Sequence, residues 1–198
     1  MCNLYRLNDS PAELAGMFGV EVGPTGNAGG DVYPGYPGLV IADGTLQAMN
    51  WGFPLQRRGR SGQPLKPKPV NNTRADKLDS PFWRGSFAAR RCLIPMNAFA
   101  EADGPAGART RTWFAMPDGA PFTCAGLWRD TGEWGRSYSL IMTGATEQIS
   151  AFHDRMPVIV ASEDRAQWLL ATPADARALC HPYPGALRID RTDQRWTR

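Results

Sequence analysis

At 198 residues the chain is long enough for one domain with a real core and short for two, so a single domain over 1–198 is expected. With 42% hydrophobic and 21% charged residues, no apolar run of membrane-spanning length and no basic-then-apolar leader, it reads as a soluble cytoplasmic protein, which sets aside membrane and secreted classes. The net charge of +3 suits a polyanion partner without requiring one, and four cysteines without CxxC spacing beside two histidines argue against a zinc site or a disulfide frame; no metal and no cofactor is expected.

In chain order, Ser10-Pro11-Ala12-Glu13 combines a capping serine, a first-turn proline and an acid at the third helical position. It predicts a helix that stops near Gly19. Residues 20–37, rich in Gly and Pro, read as loop. Leu39-Val40-Ile41 and Leu46–Trp51 read as a hairpin about Ala42-Asp43-Gly44. Residues 54–69 carry Arg57, Arg58, Arg60, Lys66 and Lys68 among prolines and glycines and are expected to be a basic, extended loop.

Ser80-Pro81 predicts a second helix to about Ala89, followed by a buried strand at Arg91-Cys92-Leu93-Ile94-Pro95. Further strands are expected at Trp113–Ala115, Phe122–Trp128 and Tyr138–Met142. A short helix near Glu147–Phe152 precedes an Arg155–Val160 run, and Ser162 and Thr172-Pro173 open two closing helices. Cys92 and Cys124 lie in apolar runs and are expected to be buried thiols. The prediction is an α+β domain with a largely antiparallel, barrel-like sheet and peripheral helices.

Several polar residues stand at the edges of these elements: Cys2, Asn72 and Arg74 in Asn72-Thr73-Arg74-Ala75-Asp76, Glu101 in Asn97-Ala98-Phe99-Ala100-Glu101, and His153 and Arg155 in His153-Asp154-Arg155-Met156-Pro157. Cys2 follows Met1. If Met1 is removed, the new terminus holds an amine and a thiol on adjacent carbons. Such an aminothiol condenses with an aldehyde to an imine and closes to a thiazolidine, an intramolecular step with effective molarities of roughly 10⁵ M or more. A carboxyl and an imidazole suit the proton transfers this needs, and paired guanidiniums suit phosphates. Taken singly, Glu101 reads as a surface carboxylate, His153 as a helix C-terminal histidine, and Trp51 and Trp128 as core.

Taken together with Trp51-Gly52-Phe53-Pro54, Arg90–Pro95 and Ala125-Gly126-Leu127-Trp128, these motifs resemble the SOS response-associated peptidase (SRAP) family from Cys2 to about Val160. The resemblance implies a sensor and shield of abasic sites in single-stranded DNA that loses Met1 by self-processing and forms a thiazolidine crosslink through Cys2. By the same resemblance Glu101 and His153 move protons, Asn72 holds the Cys2 amine or the sugar, and Arg74 and Arg155 bind phosphates. Trp51, Pro37 and Thr143 are further DNA contacts, with Trp51 stacking on a base. The expected partner is single-stranded DNA containing abasic sites; a monomer is the default expectation, in the cytoplasm and, when bound to DNA, at the nucleoid. The chain departs from the family at Asn3-Leu4, where many members have Gly-Arg, and at Ala100 and Ala102, where aromatic residues commonly flank the glutamate. Two other readings stay open: a cysteine peptidase acting on other chains, and a non-covalent single-strand-binding module.

Overall fold

The computed structural model describes residues 2–196. Met1, whose removal the sequence reading expects, lies outside the described residues. The first half runs β1 (Tyr5–Leu7), α1 (Pro11–Phe18), β2 (Glu21–Val22), β3 (Gly30–Val32), β4 (Pro37–Ala42), β5 (Thr45–Trp51), β6 (Phe53–Arg58), β7 (Pro64–Val70), β8 (Asn72–Arg74) and α2 (Arg84–Ala89). Then come β9 (Arg91–Met96), β10 (Ala98–Asp103), β11 (Thr110–Ala115), β12 (Phe122–Thr131) and β13 (Gly135–Gly144). The chain closes with α3 (Glu147–Ser150), β14 (Arg155–Pro157), β15 (Ile159–Val160), α4 (Arg165–Leu170), α5 (Pro173–Ala178) and β16 (Arg188–Arg195).

The core is a closed ring of strands. β5, β4, β9, β12 and β13 pair in that order, and β13 returns to pair with β5 in parallel through Ser137–Asn50 and Tyr138–Trp51. Closure removes the open edges such strands would otherwise present. β9 is buried along its whole length and β12 over its first seven residues, which is why both read as unbroken apolar runs. Outside the ring, Trp168 of α4 donates its indole N–H to Cys92 O (2.8 Å). The Arg91 guanidinium donates to Phe87 O, Trp168 O and Ala171 O at the C-terminal ends of α2 and α4, where a cation offsets the helix dipoles.

A second, antiparallel sheet in the order β16-β11-β10-β1-β3 lies beside the ring and carries the beginning of the chain. The expected α+β class with a mostly antiparallel, barrel-like sheet is the class found. The first helix is also as expected. Ser10 and Glu13 form a reciprocal capping box, and Gly19 ends the helix at φ 64°.

Three expectations need correction. Residues 20–37 contain β2 and β3, strands too short to be legible locally, which exist because β5 and β1 supply their partners. Residues 54–69 are not a loop but most of the β6–β7 hairpin. Its prolines are tolerated because they occupy extended positions in a two-stranded sheet with no further neighbours. The second helix begins at Arg84, after turns in which Ser80 O accepts the amides of Trp83 and Arg84. No helix among the described residues is long and apolar enough to cross a membrane.

Candidate active site at the beginning of the chain

Cys2 is wholly enclosed, with 0% of its surface exposed. Its carbonyl oxygen accepts the side-chain amides of Asn72 (2.7 Å) and Asn71 (3.2 Å). Asn71 also donates to Asn3 Oδ1 (3.1 Å), and its own carbonyl accepts the Trp51 indole N–H (2.9 Å). The Cys2 thiol points to Leu4 O at 3.5 Å. Burial above all, and then the charge of Glu101, pushes that thiol well above its ordinary range.

Glu101 reaches this place through strand alternation. Phe99 of β10 faces the barrel core, and two residues on, Glu101 takes the same face. Ala98 and Ala100 turn to a separate cluster with Leu4, Trp113 and Ala115. Glu101 is therefore 3% exposed, not the surface carboxylate it resembles when read alone. Desolvation pushes its carboxyl up to about 7.

His153 follows α3, its amide donating to Ile149 O (3.0 Å). Burial holds the imidazole below its ordinary value, against the pull of Asp154. Nδ1 lies 3.0 Å from the Arg155 amide and 2.9 Å from Asp154 Oδ1. It can accept the first contact only when unprotonated and donate to the second only when protonated, so a proton on this nitrogen exchanges one partner for the other. Glu101 and His153 line one cavity of about 390 Å³ together with Asn3, Asp103, Arg109 and Trp196.

A second cleft, of about 500 Å³, adjoins through the run His153-Asp154-Arg155: His153 lines the first cavity, Asp154 and Arg155 the second. Register places Arg74 opposite Met142 and Arg155 opposite Gly144, on the two sides of β13. Thr143, Asp76, Arg177 and Cys180 complete the cleft. Arg74 is held bidentately by Asp76 (2.8 and 2.5 Å). Strand alternation in β8 puts Asn72 on the same face as Arg74, while Thr73 turns inward to Ser139 Oγ (2.8 Å).

Of the residues singled out from sequence, Glu101 and His153 line the first cavity and Arg74, Arg155 and Thr143 the second. Cys2 and Asn72 line neither: Cys2 is enclosed next to Asn3 of the first cavity, and Asn72 is bonded to its carbonyl. Pro37 is exposed at the start of β4, in register with Asn50, and lines neither cavity. Trp51 must be corrected. It is 0% exposed, packed edge-on against Tyr5 (5.0 Å) and stacked with Tyr138 (6.3 Å), so neither ring face can receive a base. Its one polar atom is spent on the Asn71 carbonyl. Asn71, Asp154, Arg109, Trp196 and Arg177 were not anticipated. The doubled Asn71-Asn72 is the one local signal that could have pointed to Asn71. Among the described residues no group of three or more His, Cys, Asp or Glu side chains is placed to hold a metal.

The description "SOS response associated peptidase (SRAP)" matches residues 1–195. The abasic site processing protein YoqW of Bacillus subtilis (strain 168) is 31% identical over 160 residues, covering 73% of this chain and 68% of that protein. A crystal structure from Bordetella bronchiseptica superposes with a TM-score of 0.80 at 25% identity, over 96% of this chain and 99% of that one. One from Bacteroides thetaiotaomicron gives 0.80 at 20% identity over 96% and 91%, a likeness of fold. A family match that runs over nearly the whole length leaves one assignment: this chain belongs to the SOS response associated peptidase family.

Proposed function

We propose that this protein processes abasic sites in DNA, and does so by capturing the ring-opened sugar covalently through Cys2 in single-stranded DNA. Hydrolysis of the Met1–Cys2 bond, in this reading a self-cleavage, consumes one water and frees the α-amine. The amine adds to the C1′ aldehyde, and the carbinolamine loses water to give an imine. The thiol sulfur then bonds to the same carbon while its proton passes to nitrogen. Aldehyde and aminothiol become a thiazolidine plus one water.

The observation that carries this reading is the burial of Glu101: desolvation pushes its carboxyl up, to about 7 in the chain that carries Met1, and it lies in the cavity lined by His153 and Asn3, close enough to raise the Cys2 thiol. A carboxyl raised by burial gives and takes a proton more readily near neutrality than an exposed one. It can protonate the departing hydroxyl and then take up a proton during ring closure. An unprotonated His153 is a second acceptor. Asn71 and Asn72 fix the Cys2 carbonyl, and Asn72 Oδ1, buried and without a hydrogen-bond donor among the described residues, suits the freed amine or a sugar hydroxyl. Arg74, Arg155 and Thr143 would meet the flanking backbone, with Pro37 a more distant contact. Backbone contacts carry no base code, as a reader of a missing base requires. The name borne by YoqW points the same way.

The test uses protein whose intact mass reports loss of Met1, incubated with a uracil-containing single strand treated with uracil-DNA glycosylase. An adduct that survives denaturation and disappears in Cys2→Ala is expected. Met1-free protein that yields no adduct, or an adduct retained in Cys2→Ala, would refute the reading.

A further inference from the structure

The second cleft holds a cation that the residue motifs did not announce. Arg177 comes from α5, beyond the stretch that carries the motifs, and lines the cleft with Arg74 and Arg155. It is not a freely moving surface arginine. Ala176, next to it, is fully buried and anchors the helix in the core. The guanidinium lies over the Phe87 ring, 5.0 Å from its centroid, and pairs with Asp79. Leu4 gives the cleft no charge, being buried among Ala98, Ala100, Trp113 and Ala115.

Exposed carboxylates stand beside all three guanidiniums: Asp76 and Asp79 hydrogen-bond Arg74 and Arg177, and Asp154 lies 3.9 Å from Arg155, a looser ion pair. Ion pairs this open are weak and are screened by salt. They keep the forks oriented in the absence of ligand and yield readily to a stronger bidentate acceptor. We propose that Arg177 is a third phosphate contact, so that a single-stranded nucleic acid backbone lies across Arg155, Arg74 and Arg177 and displaces their aspartates. The proposal rests on the DNA-processing reading and adds to it a contact from the C-terminal helix.

The test measures binding of an intact, non-abasic single strand, which cannot form the adduct, across a salt series. Neutralising one phosphate contact makes the log–log salt slope shallower by about 0.7 for single strands. Arg177→Ala is expected to lower affinity and flatten the slope by that amount, the same effect expected of Arg74→Ala, with Arg177→Lys retaining the slope. Asp79→Asn, which leaves Arg177 in place without its partner, is expected to tighten binding. An unchanged slope in Arg177→Ala, or weaker binding in Asp79→Asn, would overturn the proposal. A flattened slope beside a wild-type protein that forms no adduct would instead remove covalent capture and leave the phosphate cleft standing. An adduct with no effect of Arg177→Ala would do the reverse.

Discussion

Replacing Glu101 by glutamine should stabilise the fold, and only above a definite pH. A carboxyl that titrates near 4.5 in the unfolded chain and at about 7 in the folded one is ionised at a cost. Between those values the unfolded chain releases a proton that the native state keeps, so stability falls as pH rises through this window. Below about pH 4 both states are protonated and the penalty vanishes; well above pH 7 it levels off at about 3 kcal/mol, since each tenfold in acidity is worth about 1.4 kcal/mol. Glu101 is 3% exposed, so solvent screening does little to reduce this figure. Urea unfolding of protein that retains Met1 should therefore show Glu101→Gln gaining up to about 3 kcal/mol at about pH 8 and almost nothing at about pH 4. The same variant should form the abasic adduct more slowly by about a hundredfold at neutral pH, while binding intact strands normally. Equal stability changes at both pH values would mean that Glu101 is not desolvated as described. On the proposed mechanism, the fold would tolerate a destabilising buried carboxyl in return for a proton that can be exchanged near neutrality.

Two further outcomes separate packing from chemistry. Trp51→Ala should cost about 3–5 kcal/mol of stability through the cavity it leaves, measured by urea unfolding. Trp51→Phe, which removes only the indole N–H to Asn71 O, should slow adduct formation without weakening binding to intact strands; weakened strand binding in the phenylalanine variant would restore Trp51 as a DNA contact. For His153, held unprotonated below its ordinary value by burial, the adduct rate should decline on the acid side with a midpoint below 6.5, as protonation turns Nδ1 from the Arg155 amide to Asp154. His153→Gln should lower the rate and abolish that limb of the profile.

What the sequence made legible followed from local chemistry. The capping box at Ser10, the apolar runs of β9 and β12 and the turn at Asp43-Gly44 each declare themselves in a few residues. Features that depend on a distant partner did not. β16 reads Arg188-Ile189-Asp190-Arg191-Thr192-Asp193-Gln194-Arg195, a solvated charge pattern, and becomes a strand because β11 offers its edge. β2 and β3 likewise have no periodicity of their own. At the site, residues inside motifs could be named, and even the inward face of Glu101 follows from its two-residue spacing to Phe99. Trp51 misled because position within a motif says nothing about burial. Gly38 illustrates how that burial is arranged: a Cβ there would stand 2.0 Å from the Tyr5 hydroxyl and 2.2 Å from that of Tyr138. The absence of a side chain lets those hydroxyls meet at 2.5 Å beside Trp51. Arg177 was illegible because α5 joins the cleft only through tertiary packing.

The enclosure of Cys2 sets the condition on which covalent capture depends. In the chain that carries Met1, the Cys2 nitrogen is an amide and its sulfur is closed to solvent, as are Cys92 and Cys124; Cys180 alone is partly exposed. A peptidase acting on other chains would need the opposite, an open nucleophile facing a groove. For self-processed protein the requirements change. The amide becomes an amine, whose charged form lowers the neighbouring thiol toward reactivity, and the sulfur must then be reached by a sugar aldehyde. Alkylation by iodoacetamide followed by peptide mapping tests this directly. Protein retaining Met1 should be labelled slowly and chiefly at Cys180, because burial keeps its other thiols protonated and out of reach. Protein lacking Met1 should be labelled at Cys2 as well, with Cys92 and Cys124 still protected. Labelling of Cys2 at the same slow rate in both forms would mean that the damaged sugar cannot reach it either, and the thiazolidine chemistry would have to be abandoned for this chain even though its phosphate cleft remained.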